Sequence, residues 1–175
     1  KEVLENMKNK WILQVFIISF TLSAIFSGLS TYVSDFNIIL LVAILFIVIG
    51  IGILFDMIGV AVLTAEEAPF HARNSKKIKE AATSLRLIKN STKVSSVCND
   101  IVGDICGIVS GSLGATLTLY LTLHTGLNPI VATILVTSFI SAFTVGGKAY
   151  FKTIAMKKSD SIVFMVGKVI QIFHK

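Results

Sequence analysis

Four stretches of this chain are apolar over lengths suited to a membrane. Residues 11–30, 36–55 and 129–147 contain no Asp, Glu, Lys or Arg, and a fourth apolar stretch covers residues 94–123. A helix needs about 20 residues to cross a hydrocarbon layer about 30 Å thick, so each stretch is long enough for one crossing. The pattern predicts spanning helices over residues 7–29, 37–63, 94–123 and 129–151. Asn128 followed by Pro129 supplies an N-cap and a first-turn proline for the last of them. The first run is too long for the apolar core of a signal peptide and shows no small-residue cleavage pattern.

The one long polar stretch lies between the second and third spans. Thr64-Ala65-Glu66-Glu67 has the spacing of a capping box. Over residues 74–89, Ile78, Ala81, Ala82, Leu85 and Ile88 recur at helical spacing with lysines on the opposite face, which predicts an amphipathic helix ending at Asn90-Ser91. Residues 64–93 thus read as a helical hairpin outside the membrane. A last amphipathic stretch over residues 159–173 (Ile162, Val163, Val166, Val169, Ile170, Phe173) reads as a juxtamembrane helix along the inner interface. No repeat or linker is visible. The predicted fold is all-α, a polytopic membrane protein with a single transmembrane domain over residues 1–175.

Composition agrees with that pattern. Hydrophobic residues make up 54% of the chain and charged residues 15%, with a mean hydropathy of +0.82, against about 25% charged in a soluble domain. A soluble enzyme, a disordered regulator and a nucleic-acid reader are all excluded. The net charge of +6 and pI near 9.4 would suit nucleic acid, but the cations are placed for a membrane. They fall in three groups: Lys1, Lys8 and Lys10; Arg73, Lys76, Lys77, Lys79, Arg86, Lys89 and Lys93; and Lys148, Lys152, Lys157, Lys158, Lys168 and Lys175. The two intervening loops, residues 31–35 and 124–128, carry none. Four alternating spans put all three groups on one side, which the positive-inside rule makes cytoplasmic, so both termini are expected inside. Trp11 is expected at the inner interface, and Tyr32 and Asp35 in a short outer turn. Fourteen lysines against two arginines, with abundant Ile and Phe, point to an AT-rich bacterial source and hence to the bacterial cell membrane.

The polar residues inside the spans carry the candidate chemistry. A charge at the centre of a span costs about 2.5 to 3.5 kcal/mol on insertion scales, so such residues default to function. They are Asp56, Asn99, Asp100, Asp104 and Lys148. On an ideal helical wheel Asp100 and Asp104 share a face with Gly107, Gly111 and Gly114, and Asn99 lies on its flank with Gly103, Cys106 and Ser110. Small residues allow close helix approach, so this face is expected to pack on helix two at Gly52, Asp56 and Gly59, bringing Asp56, Asp100 and Asp104 together. Oxygen ligands without His or thiolate suit a hard cation such as Mg²⁺. The competing reading is that Lys148 or Lys93 neutralises the carboxylates, or that they sit in interfacial water. Cys98 and Cys106 stand roughly 12 Å apart along one helix, too far for a disulfide, and read as buried small hydrophobes. His71, His124 and His174 lie in separate segments, and no nucleophile motif is present. Glu66 and Glu67 with His71 read as surface residues, so no catalysis is expected.

The segment Phe55-Asp56-Met57-Ile58-Gly59-Val60-Ala61-Val62-Leu63, the basic segment Ala81-Ala82-Thr83-Ser84-Leu85-Arg86-Leu87-Ile88-Lys89-Asn90 after it, and the polar opening of helix three together resemble the transmembrane domain of the cyclin M/CorB–CorC magnesium transporter family. That family has a helix ending in a Phe-Ser-Gly-Ser-Glu-like motif, two short cytoplasmic helices, and a Gly-Asn motif in the next helix. Either Val102-Gly103-Asp104 or Cys98-Asn99-Asp100 stands in the last place. Gly147-Lys148-Ala149-Tyr150-Phe151-Lys152-Thr153-Ile154-Ala155 resembles the family's Gly-Glu-x-x-Pro-Lys-Thr-x-Ala segment. The resemblance covers residues 37–173 and implies a dimer, three core spans, and Mg²⁺ transport through an inward-opening site. The chain departs from it in four ways. Helix one is extra, Asp56-Met57-Ile58-Gly59 replaces Ser-Gly-Ser-Glu, the acid becomes Lys148 and the proline Phe151, and the nucleotide-sensing domains are absent.

Two functions are therefore expected. In the first, Asp56, Asn99 and Asp104 ligate a transported divalent cation, with Asp100 and Ser110 as secondary ligands and Gly103, Gly107 and Gly111 as the packing surface. In the second, Lys148 stands in the cation's place as a tethered ion. The protein is then a transport-inactive membrane subunit that binds a partner protein, its basic cytoplasmic surface meeting lipid headgroups or an acidic protein.

Overall fold

The computed structural model describes residues 13–14, 16–21, 23–25, 28, 37–75 and 77–173. All regular structure among these residues is helical. Three helices are long and apolar enough to cross a membrane: α1 (Ile38–Thr64, 27 residues), α4 (Ser91–Thr125, 35 residues) and α5 (Pro129–Lys157, 29 residues). Shorter helices lie between and after them: α2 (Ala68–Asn74), α3 (Lys79–Lys89) and α6 (Ser159–Phe173). Of the expected first span, the apolar helical segment Phe16–Ile25 is described, which is shorter than a crossing. Its expected ends, with Trp11, Tyr32, Asp35, Lys1, Lys8 and Lys10, lie outside the described residues, as do Lys76, His174 and Lys175.

Local chemistry sets the helix ends. Asn37 Oδ1 accepts the Ile39 amide at 3.2 Å and starts α1. Asn128 Oδ1 accepts the Ile130 amide at 2.9 Å ahead of Pro129, the N-cap expected for α5. The capping box at Thr64 does not form. Thr64 still lies in α1, where its hydroxyl donates to Val60 O at 2.9 Å. Glu67 caps α2 without a side-chain bond; Pro69, in its first turn, needs none for its own nitrogen. The helix expected from residue 74 starts five residues later. The Ile78 amide donates to Arg73 O at 3.4 Å and the Lys77 amide to Asn74 O at 2.9 Å, with Lys77 at φ 59°. These are the paired bonds of a Schellman end, which stops α2 before α3 begins.

The chain divides into two compact units, residues 1–49 with 104–140 and residues 50–103 with 141–175. In the first, Leu41, Leu45, Val109, Leu113, Ala132 and Val136 are buried. Phe46 and Phe139 meet edge to face at 6.3 Å beside a cavity of about 280 Å³ whose lining is wholly apolar. A Cβ on Gly114 would strike the Ile140 side chain, so glycine permits that contact.

The second unit holds the larger core: Val60, Ala61 and Val62 of α1, Phe70 of α2, Leu85 and Ile88 of α3, Ala155 of α5 and Val163 of α6. The predicted apolar faces of α3 and α6 pack on each other. Ser84, wholly buried, donates to Val163 O at 3.2 Å and to Glu80 O at 2.9 Å. A Cβ on Gly167 would strike Ser84 Oγ and lie 3.0 Å from Glu80 O. Arg73 of α2 stands over the Phe164 ring at 4.7 Å, and Asp160 accepts the Glu66 amide at 3.4 Å.

Helix propensity alone would make replacement of a mid-helix glycine favourable by up to about 1 kcal/mol, whereas overpacking costs about 1 to 3 kcal/mol. Gly167→Leu is therefore expected to lower the thermal midpoint of the detergent-solubilised protein. Gly107→Ala, at an exposed site with no neighbour within 4 Å of the new Cβ, is expected to leave it unchanged or raise it slightly.

Candidate functional site

The site is built where α1 and α5 approach in the second unit. A Cβ at Gly147 would run into the Ile53 side chain, so α5 comes close to α1 at this level. One residue beyond Gly147 and one turn beyond Ile53, Lys148 Nζ lies 3.5 Å from Asp56 Oδ1. Their side chains are 30% and 14% exposed. Asp56 sits eight residues before the end of α1, roughly 12 Å along the axis. The ammonium is also 3.5 Å from where a Cβ on Gly103 would stand, with Cys98 O 3.6 Å from the same point.

Gly59, one turn past Asp56, receives the side-chain amide of Asn99, and any Cβ there would overlap it. Asn99 lies within a π-helical turn, Val97–Val102, that interrupts α4. The Gly103 amide donates to Cys98 O, five residues back. Single π turns inside α-helices are frequent at functional sites. Asn99 Nδ2 donates to Ser95 Oγ at 3.2 Å, while its Oδ1 is buried without a hydrogen-bond partner.

The energetics of the pair are finely balanced. Two unit charges 3.5 Å apart attract by about 5 kcal/mol at an effective dielectric constant of 20, and desolvation costs several kcal/mol per ion. The pair thus makes both charges tolerable inside a span while adding little net stability. Removing one partner is another matter, because the survivor keeps its desolvation cost.

The expected convergence of Asp56, Asp100 and Asp104 is not made. Asp100 and Asp104 are exposed, and no group of three or more His, Cys, Asp or Glu side chains among the described residues is placed to hold a metal ion. Ser110 is buried and donates to Gly107 O at 3.0 Å. Gly107 and Gly111 face open space, whereas Gly103 is buried. The wheel's two groups hold along the helix, since Asp100, Asp104, Gly107 and Gly111 are all exposed while Gly103 and Ser110 are buried; the face turned inward is the flank and not the one expected. Asn99, placed on the flank, is the residue that meets α1. Lys93 is exposed, and the neutralising ammonium is that of Lys148. Gly147 and Ser95 were not singled out as site residues; the available signals were the glycine beside an in-span lysine and a serine four residues before Asn99. No disulfide joins Cys98, which is buried, to Cys106, which is half-buried. His71 pairs with Glu67 at 3.3 Å on an exposed helix face.

In chemical terms the site offers one carboxylate already bearing an ammonium, one free amide oxygen and one hydroxyl. Mg²⁺ takes one or two carboxylates and fills an octahedron with further oxygens and water. Asp56, Asn99 and Ser95 would serve only with Lys148 withdrawn. No family model, curated protein or solved structure matches this chain.

Because Asp56 is the more buried partner and the lysine stem can carry its charge outward, Lys148→Met is expected to destabilise the protein by about 2 to 3 kcal/mol and Asp56→Asn by about 1 kcal/mol. The double variant should be more stable than Lys148→Met alone, a non-additivity read from chemical unfolding of all four proteins.

Proposed function

We propose that this chain is an integral membrane protein of the cyclin M/CorB–CorC magnesium-transporter type whose cation position is held by its own Lys148 ammonium. It acts as a transport-inactive membrane subunit that binds a partner. The observation that carries this reading is the 3.5 Å contact of Lys148 Nζ with Asp56 Oδ1, at the position where the family segment has an acid. The order of elements supports it: a span ending in Asp56 and Gly59, short helices α2 and α3, a span opening with Asn99, and a span carrying Gly147-Lys148. The distribution of cations supports a bacterial cell-membrane protein with four crossings, the helical segment at residues 64–93 and both termini cytoplasmic. The resemblance adds a homodimer.

A second reading, Mg²⁺ transport with Lys148 moving aside, is favoured by the buried, unpartnered Oδ1 of Asn99 beside Gly59. An amide oxygen of that kind suits a hard cation.

The two readings differ in how the protein responds to magnesium. If Lys148 holds the position, millimolar Mg²⁺ leaves the thermal midpoint of the purified protein unchanged and liposomes show no Mg²⁺ flux. Lys148→Glu, which sets two carboxylates side by side, should then acquire Mg²⁺-dependent protection. Protection of the parent protein, lost in Asp56→Ala, together with flux in liposomes, would establish transport instead.

A further inference from the structure

We infer that the outward face of α6 binds an anionic membrane surface, through Met165, Val169 and Ile172 with Lys168 among them and Lys157 and Lys158 just ahead of the helix. This rests on the reading of the chain as a membrane protein. Part of the face that the sequence pattern would have sent to the interface is already occupied, since Val163, with Gly167 beside it, packs against Ser84 of α3. Yet the helix is apolar on its other side too. Met165 is 67% exposed, Val169 48% and Ile172 66%, and with exposed Lys168 they recur at helical spacing as one stripe. Asp160 is the sole acid in α6. It is turned onto the Glu66 amide at 3.4 Å and adds no negative charge to the stripe.

The position of the helix selects the occupant. Helix α5 ends at Lys157 and α6 begins at Ser159, leaving Lys158 as the whole connection. The helix therefore starts about two turns past the end of the expected crossing at residue 151, at the level of the headgroups. There, lysine stems lie along apolar surface while their ammonium groups reach the headgroups. A basic, amphipathic helix at that level gains from both acyl chains and anionic headgroups. A free anion would satisfy only the lysines. A second copy meeting this face symmetrically would set Lys168 against Lys168.

The test uses the full chain with its single tryptophan removed (Trp11→Phe) and a probe introduced at Met165→Trp or, as control, at Ile134→Trp on the exposed face of α5. Each is reconstituted into vesicles of brominated phosphatidylcholine, alone or mixed with brominated phosphatidylglycerol. The position-165 probe is expected to be quenched, about twofold more strongly when the anionic lipid is present, and the position-134 probe to be quenched equally in both. Quenching at position 134 but not at 165, or equal quenching at 165 in the two lipids, overturns the assignment and leaves the membrane reading standing. A blue-shifted but unquenched probe at 165 also overturns it, because protein then covers the face. Absence of quenching at both positions overturns the membrane reading itself.

Discussion

A carboxylate one turn from a close helix contact, inside a helix long enough to cross a membrane, cannot stand there alone. Asp56 is 14% exposed, and its partner is the Lys148 ammonium at 3.5 Å. The glycines around the pair let the neighbouring helices close on it. Gly147 admits Ile53 on one side of the pair, Gly59 admits Asn99 on the other, and Gly103 leaves room beside the ammonium. Gly59 and Gly147 each forgo helix propensity at up to about 1 kcal/mol and admit a neighbouring side chain where a Cβ would overlap it. The pair is less a source of stability than a condition for placing two charges at this depth.

The layer of short helices has a different logic. Its helices are short, and α3 would be marginal alone, yet Phe70, Leu85, Ile88 and Val163 share one buried cluster with the end of α1. Ser84 ties α3 to α6 through the Val163 carbonyl, and the Arg73–Phe164 stack and the Asp160 bond tie α6 back to the α1–α2 region. This layer fixes the ends of α1 and α5, the two helices that carry the ion pair.

The long helices were legible in the sequence because 20-residue apolar runs have few alternatives, and Asn128-Pro129 marked the start of α5. The in-span charges could be picked out one by one. Which face of α4 turns inward could not, because both the carboxylate–glycine face and its flank with Gly103, Cys106 and Ser110 carry the small residues that permit close packing. Asn99 met Gly59 while Asp100, Asp104, Gly107 and Gly111 turned outward. A π turn has no composition signal comparable to proline or glycine. Thr64 illustrates a second limit. The capping-box spacing was present, but α1 ran on through it, since its apolar pattern continued to Leu63 and the hydroxyl found its own helix carbonyl. On α6 the sequence pattern marked one apolar stripe, but only packing tells which of its residues meet α3.

The claim beneath this account is that Lys148 neutralises Asp56 across the two helices. Exchanging the charges tests it most directly: Asp56→Lys and Lys148→Asp, separately and together, with thermal unfolding in the same detergent as the readout. The account predicts that each single reversal, which sets like charges together, lowers the midpoint sharply, and that the double reversal recovers most of the loss. A double variant no more stable than the worse single one would show that the two charges are accommodated independently.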